Sequence, residues 1–455
     1  MHTRINSSRT SAILLVFSLA FIVLLSFFTI QELAPITAER IKGYNENIAE
    51  LDEDKAAADT EEEIAAIDED IKSYNNRIAE RENRSKYFLI AIGIIVGILL
   101  FGFAYQKLTK AHFMAQLSAL CILATIGFSF KIIHSFGSDD VLYLALSVAF
   151  AIAAYVIIRR MSTMNNILFY LMVGAVALLL IANAVFAETI NGAKCWIRFG
   201  ETGPTIQVSE FIKVILVLIG AYSYQKQSRV IVYYFTSLVA CIAYLGFKDL
   251  GSAIVFFALM LMMSIFLLDD PKVFAGMLLL AIAAFVCAFF AFGYVRDRFA
   301  NYGNVMADPS GQQAKIIKGI IFGGFGGLGI SQSSHVINIF SIESDAVIAG
   351  IMSIFGIGMV FIIMCCYSVF TITPKRNVSV YPWSYYITTQ FAIIVALQAL
   401  LNFLGSVDVL PFTGIVAPFL SSGGSASVSF FSLFGLVLAA LNPKIAPMKS
   451  SINKN

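Results

Sequence analysis

The feature that most constrains this chain is a series of long apolar runs separated by short polar segments. There are about twelve runs, each close to the ~20 residues with which an α-helix crosses the hydrocarbon core of a bilayer. Only 13% of the residues are charged, against roughly 25% in soluble domains. Because backbone groups inside a bilayer must find hydrogen-bond partners within the protein, the runs predict helices. The sequence therefore predicts an all-α polytopic membrane protein.

The predicted spans are spread along the whole chain. They cover about Ser11–Ile30, Tyr87–Tyr105, His112–Ile133, Val141–Ile158, Ile167–Phe186, Gln207–Tyr224, Val230–Phe247, Leu250–Leu268, Val273–Phe292, Ala346–Phe370, Tyr385–Phe403 and Ala426–Leu441. Basic residues such as Arg159, Arg160, Lys375 and Arg376 lie at alternate ends of these spans. By the positive-inside rule, this distribution predicts that both termini are cytoplasmic. The first run lacks a small-residue cleavage site and is interpreted as a retained anchor.

The segment between the first two spans, about residues 36–86, is polar and carries a net charge of −7 from fifteen acidic and eight basic residues. Its apolar residues recur at steps of three and four, the spacing of a coiled-coil seam, and the phase breaks at Ala56–Glu63. Thr60 and Glu63 form a capping-box pattern at the break. We therefore expect an extracytoplasmic antiparallel coiled-coil hairpin with arms of about 35 Å, at ~1.5 Å per residue. Two interpretations stay open: a rigid solvated spacer, and a docking arm for a partner protein.

The six cysteines and four histidines indicate neither a disulfide framework nor a metal centre. Five of the cysteines lie inside apolar runs, no two form a Cys-x-x-Cys pair, and the histidines are scattered. The cysteines are interpreted as small buried hydrophobic residues.

A long polar segment, Gly293–Asp345, interrupts the spans in the second half of the chain. Its last part begins at Phe322 as a glycine-rich turn, continues through several serines and ends with Glu343 and Asp345. A polar insert of this length between membrane spans has few reasons to exist unless it docks a partner or performs chemistry at the membrane surface. The segment is therefore the first place to look for a functional site.

Several short motifs follow one another in a fixed order. They are Gly192-Ala193-Lys194-Cys195-Trp196-Ile197, Gln207-Val208-Ser209-Glu210-Phe211-Ile212-Lys213, Asp249-Leu250-Gly251-Ser252, Arg296-Asp297-Arg298 with Asp308-Pro309, Ser344-Asp345, and a terminal group of Asn402, Leu410-Pro411, Thr413-Gly414, Pro418 and Ser421-Ser422-Gly423-Gly424-Ser425. In this order and with these spans, they resemble the SEDS family of peptidoglycan glycan-strand polymerases, which includes RodA, FtsW and SpoVE. Each motif alone is weak, and it is the combination that indicates the family.

The resemblance covers about His112 to Leu441 and implies the ten-helix core of that family. The chain then divides into residues 1–110, two spans with the hairpin; residues 111–445, a SEDS-like core with a large outer loop at 293–345; and residues 446–455, a cytoplasmic tail. Some motif positions differ from the family. Lys194-Cys195 replaces an Arg pair, Lys315-Ile316 replaces Gln-Ser, and Ser353-Ile354 replaces Glu-Glu. The chain is therefore identified as a divergent member.

The resemblance implies that Asp345 is catalytic, because Ser344-Asp345 stands where the family has its proposed catalytic aspartate. A carboxylate at the membrane surface can act as the general base that takes a proton from a sugar hydroxyl. Glu343 is the alternative carboxylate. From the residues alone, the plainer interpretation is that Asp345 caps the following helix, since Asp side chains accept hydrogen bonds from free N–H groups at helix starts.

A leaving pyrophosphate requires positive charge nearby, from side chains or from a divalent cation. Candidate substrate-binding residues are Lys194, Trp196, Arg198, Lys213, Arg296, Arg298, Ser422, Gly423 and Ser425, and candidate supporting residues are Glu210, Asp249, Gln312 and Glu343. Lys213 lies inside an apolar span and is expected to face a cavity. For Asp249, the sequence is equally consistent with an ion pair to Lys248 and with a role in catalysis. The glycine turn favours close backbone packing, with a pyrophosphate cradle as the alternative.

The resemblance implies a glycosyltransferase that polymerises lipid II at the outer face of the bacterial cytoplasmic membrane, in elongation, division or sporulation. It also implies a class B penicillin-binding protein, a transpeptidase, as partner, with no organic cofactor and no nucleic acid. A divalent cation such as Mg²⁺ or Mn²⁺ is plausible because the substrate carries pyrophosphate. Two alternatives remain. One is a flippase for a lipid-linked precursor, and the other is a non-catalytic scaffold of the division or elongation machinery.

Overall fold

The computed structural model describes residues 2–58, 60–109, 111–159, 166–190, 192–200, 203–268, 271–300, 305, 308–333, 339, 341–372 and 382–442. Within these ranges, the side chains of residues 2–8, 159, 225, 227, 266–268, 297–300 and 382 are not described. The predicted cytoplasmic tail at 446–455 lies outside the described residues.

The described chain is almost entirely helical. Its helices are α1 (His2–Ala57), α2 (Glu61–Thr109), α3 (Met114–His134), α4 (Ser138–Arg159), α5 (Asn166–Phe186), α6 (Val208–Gln225), α7 (Val230–Gly246), α8 (Leu250–Leu268), α9 (Pro271–Ala291), α10 (Gly293–Ala300), α11 (Gln312–Gly323), α12 (Val347–Phe355), α13 (Ile357–Ile372), α14 (Pro382–Ser406) and α15 (Gly424–Ala440). Within the described part, seven helices are long and apolar enough to cross a membrane, and four shorter ones are comparably apolar. The predicted polytopic helical fold is confirmed.

The predicted hairpin is formed by the polar halves of α1 and α2, which run antiparallel. The rings of Tyr44 and Tyr74 lie 5.7 Å apart, and Lys55 Nζ lies 2.5 Å from Asp68 Oδ1 near the tip. At the start of α2, the backbone N–H of Glu63 donates to Thr60 Oγ1 at 3.3 Å, as the capping pattern predicts. Both helices continue without interruption into their apolar halves. The hairpin is therefore a continuous extension of two membrane helices, and regular coiled-coil packing along it stays a prediction.

One predicted span, Ala346–Phe370, is two helices. Gly356 separates α12 from α13 and has φ +82°, a left-handed conformation that ends a helix and favours glycine. The break lets the chain pass close to the glycine turn, where a Cβ on Gly356 would lie 2.2 Å from the carbonyl oxygen of Phe325. Hydropathy alone joins these two helices because both are apolar.

A small antiparallel sheet occupies the loop between α5 and α6. It consists of β1 (Glu188–Ile190), β2 (Ala193–Arg198) and β3 (Thr205–Gln207), in the order β1-β2-β3. Trp196 on β2 is paired with Glu188 on one side and with Gln207 on the other. The sheet is the one departure from all-helical structure among the described residues, and it fixes the loop that carries three predicted site residues.

The centre of the bundle is formed by α3 and α15, which are buried along most of their length. The contact between α4 and α15 is close enough that a Cβ on Gly435 would lie 2.1 Å from the carbonyl oxygen of Ala151. At the other end of α15, Gly424 packs in the same way against the ring of Tyr143. These small residues let two helices approach without side chains between them, as is common in membrane bundles. The start of α15 is thereby held beside α4.

Candidate functional site

Asp345 lies in a turn, residues 341–346, that leads into α12. Its backbone N–H donates to the carbonyl oxygen of Ser341 at 2.9 Å. The N-cap position of α12 belongs to Ala346, and the helix has no side-chain cap. The Asp345 carboxylate therefore stands one residue before the N-cap position, and its capping of α12 stays a prediction.

The turn is held from one side by Asn402 of α14. The side-chain amide Nδ2 donates to the carbonyl oxygens of Asp345 at 2.9 Å and Ile415 at 2.8 Å, with a longer contact to Ser344 at 3.3 Å. The same side chain accepts from the N–H of Ile348 at 3.5 Å through Oδ1. With 1% of its surface exposed, Asn402 connects three chain segments. Its position was noted as part of the terminal motif, but its clamping role was not predicted.

The segment before α15 holds the turn from the other side. Ser421 Oγ donates to the carbonyl oxygen of Ser344 at 2.6 Å, and the N–H of Ser422 donates to that of Glu343 at 2.9 Å. Gly414, at φ +68°, lies beside the carboxylate, and a Cβ there would be 3.4 Å from Asp345 Oδ2. The terminal motif thus surrounds the turn that carries Asp345. Residues almost eighty positions apart in sequence meet here.

Glu343 has a different environment from Asp345. Ser422 Oγ lies 3.4 Å from Glu343 Oε2, in addition to its contact with the carbonyl oxygen of Glu343 at 3.2 Å. Burial raises the pKa of the Glu343 carboxyl, while the nearby Lys131 ammonium and the Ser422 hydrogen bond oppose that increase. Lys131 is itself paired with Asp140. Glu343 is therefore a carboxyl group that retains its proton to a higher pH than an exposed glutamate.

A polar cavity of about 920 Å³ opens next to this turn. Its walls come from the base of α2, the α3–α4 junction, the segment before α15, and Trp196. Three predicted substrate-binding residues line it: Trp196, Ser422 and Gly423. Asp345 is not among the lining residues, and neither is Lys213. Ser422 connects the cavity to Asp345, because it lines the cavity and its N–H bonds the turn that carries Asp345.

Lys213 does not line this cavity and is engaged in a buried ion pair. Its ammonium contacts both carboxylate oxygens of Glu210, at 2.8 and 3.0 Å, and the side chain is 2% exposed. Gln398 Oε1 at 3.3 Å and the ring of Phe430 at 4.6 Å complete its surroundings. The expectation that Lys213 faces a cavity stays a prediction. Substrate binding by Lys213 stays a prediction that would require a buried ion pair to open.

The two basic residues of β2 also have partners. Arg198 Nε lies 3.0 Å from Glu188 Oε2 in a partly exposed ion pair, and Lys194 Nζ donates to the carbonyl oxygen of Ala184 at 2.7 Å. Both pairs lie at or near the protein surface, and their phosphate-binding role stays a prediction.

Asp249 acts as the cap of α8. It accepts from the N–H of Ser252 at 3.0 Å and from its hydroxyl at 2.7 Å. Gln207 Nε2 lies 3.3 Å away, and the N–H of Gln207 donates to Ser425 Oγ at 3.1 Å. Within the described residues, no ion pair joins Asp249 to Lys248. These contacts link β3, α8 and α15 and give Asp249 and Ser425 structural roles.

The outer-loop candidates are farther from these contacts. Arg296 is an exposed residue of α10, and the side chain of Arg298 lies outside the described residues. Gln312 begins α11, which is tied to the end of α14 by its neighbour Gln313, whose Nε2 donates to the carbonyl oxygen of Gly405 at 3.0 Å. Their predicted roles in binding stay predictions.

The glycine turn packs against the end of α12. The N–H groups of Leu328 and Gly329 donate at 3.0 Å to the carbonyl oxygens of Ser353 and Ile354. At Gly327, with φ +83°, a Cβ would lie 2.2 Å from the Ile354 oxygen. Close backbone packing explains these glycines, and the two amides are already engaged, which disfavours a pyrophosphate cradle formed by them. The substituted pair Ser353-Ile354 is the surface that the turn contacts.

In the part of the chain that the structure describes, no three His, Cys, Asp or Glu side chains converge as a metal-binding group would. The carboxylates nearest to the turn are those of Asp345 and Glu343 themselves.

Comparison with known proteins identifies the core. Residues 129–444 match the sequence profile of the FtsW, RodA and SpoVE family, described as cell cycle protein. The chain belongs to this family. A probable peptidoglycan glycosyltransferase FtsW of Geobacter sp. (strain M18) is 26% identical over 278 residues, 57% of this chain and 74% of the relative. One of Coxiella burnetii (strain RSA 493) is 24% identical over 317 residues, 65% of this chain and 84% of the relative.

A solved structure described as "Structural coordination of polymerization and crosslinking by a peptidoglycan synthase complex" contains a similar chain. The similarity covers 72% of this chain and 96% of that one, with a TM-score of 0.55 and 20% identity. At this identity the likeness shows the fold. This SEDS protein is thus a multi-pass protein of the cytoplasmic membrane, and α1, α2 and most of α3 lie before the matched family region.

Proposed function

We propose that this SEDS protein polymerises peptidoglycan glycan strands from lipid II, with Asp345 as the general base. The observation that carries the proposal is the turn at 341–346. Asn402 and Ser421 fix its carbonyl groups, and Gly414 leaves room beside the Asp345 carboxylate. A base whose backbone is fixed by hydrogen bonds keeps its position relative to a bound substrate.

In the proposed reaction, a hydroxyl oxygen of one lipid-linked saccharide forms a bond to the anomeric carbon of another. The bond between that carbon and the phosphate oxygen breaks, and the polyprenyl pyrophosphate leaves with the bonding electrons. Asp345 takes the hydroxyl proton as the new bond forms, a contribution of roughly 10²–10⁴-fold for a positioned base. Basic side chains, or a divalent cation carried on the pyrophosphate, offset the charge of the leaving group. The cation is a proposal, and no organic cofactor is needed for these steps.

The proposed orientation has the hairpin and Asp345 outside the cytoplasm, because lipid-linked precursors are joined at the outer face. The proposed partner is a class B penicillin-binding protein. Support comes from the similarity of this fold to a chain of a peptidoglycan synthase complex in which polymerization and crosslinking are coordinated.

The test is polymerisation of lipid II by purified protein, with and without the partner, with products resolved by gel. Asp345→Asn keeps the size of the side chain and removes the base, so strand formation should fall at least about 100-fold. Asp70→Asn, an exposed change on the hairpin, is the matched control and should polymerise normally. Equal strand formation by wild type and Asp345→Asn would refute the role of Asp345. Absence of strands from every preparation, together with translocation of labelled lipid II in liposomes, would favour the flippase instead.

A further inference from the structure

The base of the hairpin forms one wall of the polar cavity. Asn83, Arg84 and Tyr87 of α2 line it opposite Ser422 and Gly423. This part of α2 is tied to the core by the buried ring of Phe88, whose centroid lies 5.9 Å from that of Phe136. The family match begins at residue 129, so this wall belongs to the segment that precedes it. The cavity is therefore completed by an element outside the matched family region.

Arg84 differs from the other cation of the cavity. Lys131 is neutralised by Asp140, whereas the guanidinium of Arg84 makes no hydrogen bond or ion pair with any residue that the structure describes. A half-buried guanidinium is a strong donor to planar anionic groups, because its fork of N–H groups bonds two oxygens at once. The carboxylates of Glu80 and Glu343 act on this charge only at longer range, so the α2 wall offers a guanidinium whose N–H groups have no partner among the described residues.

The remaining lining groups suit a sugar better than a bare anion. Tyr87, Tyr143 and Trp196 present aromatic rings, and acidic side chains of Glu80 and Asp139 also line the cavity. Carboxylates accept hydrogen bonds from hydroxyl and amide groups, but they repel a small inorganic anion. The volume of about 920 Å³ is that of a site for a ligand of substantial size. Aromatic faces, acceptors and a single free cation together match an anionic saccharide.

We propose that Arg84, with Tyr87 and Asn83, gives this protein a saccharide-binding wall that holds the anionic head of a lipid-linked precursor. The identity of the ligand rests on the proposed function. The site itself rests on the cavity and on the free guanidinium. In this arrangement the hairpin contributes to substrate binding at its base, whatever its exposed tip does.

The chain provides its own reporter for this site. It has two tryptophans, Trp196 in the cavity and Trp383 buried at the start of α14. The indole N–H of Trp383 is buried without a hydrogen-bond partner among the described residues, so Trp383→Phe removes no hydrogen bond seen there. It leaves Trp196 as the sole tryptophan, which can be excited selectively at wavelengths that tyrosine does not absorb. In this background, titration with short-chain lipid II should produce a saturable change in Trp196 fluorescence, whereas inorganic pyrophosphate should produce none.

Arg84→Ala should weaken lipid II binding about tenfold or more, because it removes charge-assisted hydrogen bonds. Arg84→Lys should bind with intermediate affinity. Lys86→Ala is the matched control, since Lys86 is exposed on the same helix and does not line the cavity. Equal thermal unfolding midpoints for these variants establish that folding is intact. Wild-type affinity in Arg84→Ala, or absence of any Trp196 response to lipid II, would overturn the inference.

Polymerisation measured on the same samples separates this inference from the proposed function. Binding that depends on Arg84 without strand formation by any sample would support the cavity site and refute the polymerase. Strand formation with no dependence on Arg84 in either assay would refute the cavity site and support the polymerase.

Discussion

Replacing Asn402 by alanine tests whether the clamp on the Asp345 turn matters for chemistry as well as for folding. The two short donations from its amide end at the buried carbonyl groups of Asp345 and Ile415. At ~1–3 kcal/mol for each buried acceptor left without a donor, Asn402→Ala should lose about 2–6 kcal/mol of folding free energy. The loss is centred on the turn, because one carbonyl group belongs to Asp345 and the other to the residue that follows Gly414.

The same change should slow polymerisation by more than the loss of folded protein explains. Without the amide, the backbone of residues 344–345 keeps only the bonds that Ser421 and Ser341 make to it. A resulting displacement of about 1 Å in a catalytic group would cost roughly 100-fold in rate. The assay is single-turnover strand formation from lipid II, normalised to the folded fraction measured by thermal unfolding in detergent.

Asn442→Ala is the matched control for this experiment. Asn442 is also a buried asparagine, and it donates to the hydroxyls of Tyr105 at 3.2 Å and Tyr155 at 2.8 Å, far along the chain from the turn. Asn442→Ala should lower stability and leave the polymerisation rate per folded molecule unchanged. A normal rate for Asn402→Ala, or an equal fall for Asn442→Ala, would contradict the clamping role.

Three further outcomes follow from the structure. Gly356→Ala should destabilise the protein by at least ~1–2 kcal/mol, because alanine resists the left-handed conformation and its Cβ would overlap the backbone of Phe325. The control Gly358→Ala should be neutral or stabilising in thermal unfolding, since no atom lies near the added Cβ. Lys213→Met should cost about 3–5 kcal/mol by leaving Glu210 buried and unpaired, and adding Glu210→Gln should restore most of it, as chemical unfolding would report. Burial raises the pKa of Glu343, so the folded state binds this proton more tightly than the unfolded state does, and stability falls as pH rises above the ordinary value near 4.5. Glu343→Gln should flatten this part of the pH–stability curve, and an unchanged slope would contradict the prediction.

The spans and the hairpin could be predicted from the sequence because they depend on local periodicity. Apolar runs and a break in the three-and-four spacing are properties of neighbouring residues. In the structure, the runs form helices, and the break lies between α1 and α2. The break at Gly356 could not be predicted in this way. It depends on a backbone angle and on the approach of Phe325, neither of which hydropathy records.

For the candidate site too, local motifs could be predicted from the sequence and long-range contacts could not. The motifs carried enough information to select Asp345 and Ser422, but not to reveal that Asn402 bonds the backbone around Asp345, since that contact joins residues 57 positions apart. Two contacts of the site follow from sequence spacing alone. Glu210 stands three residues before Lys213, the spacing of a helical ion pair. Asp249 stands three before Ser252, where an aspartate readily caps a helix.

The pairing of the basic residues decides which of them can meet a leaving pyrophosphate. Opening the buried pair of Lys213 and Glu210 would leave an uncompensated charge, at a cost of about 3–5 kcal/mol. Opening the pair of Arg198 and Glu188 costs little, since their side chains are 34% and 49% exposed and such pairs contribute only ~0–1 kcal/mol. Arg84 needs no pair to open among the described residues. Among these three cations, Lys213 of the family-like motifs is therefore the least available to substrate, whereas Arg84, which lies outside those motifs, needs no ion pair to open.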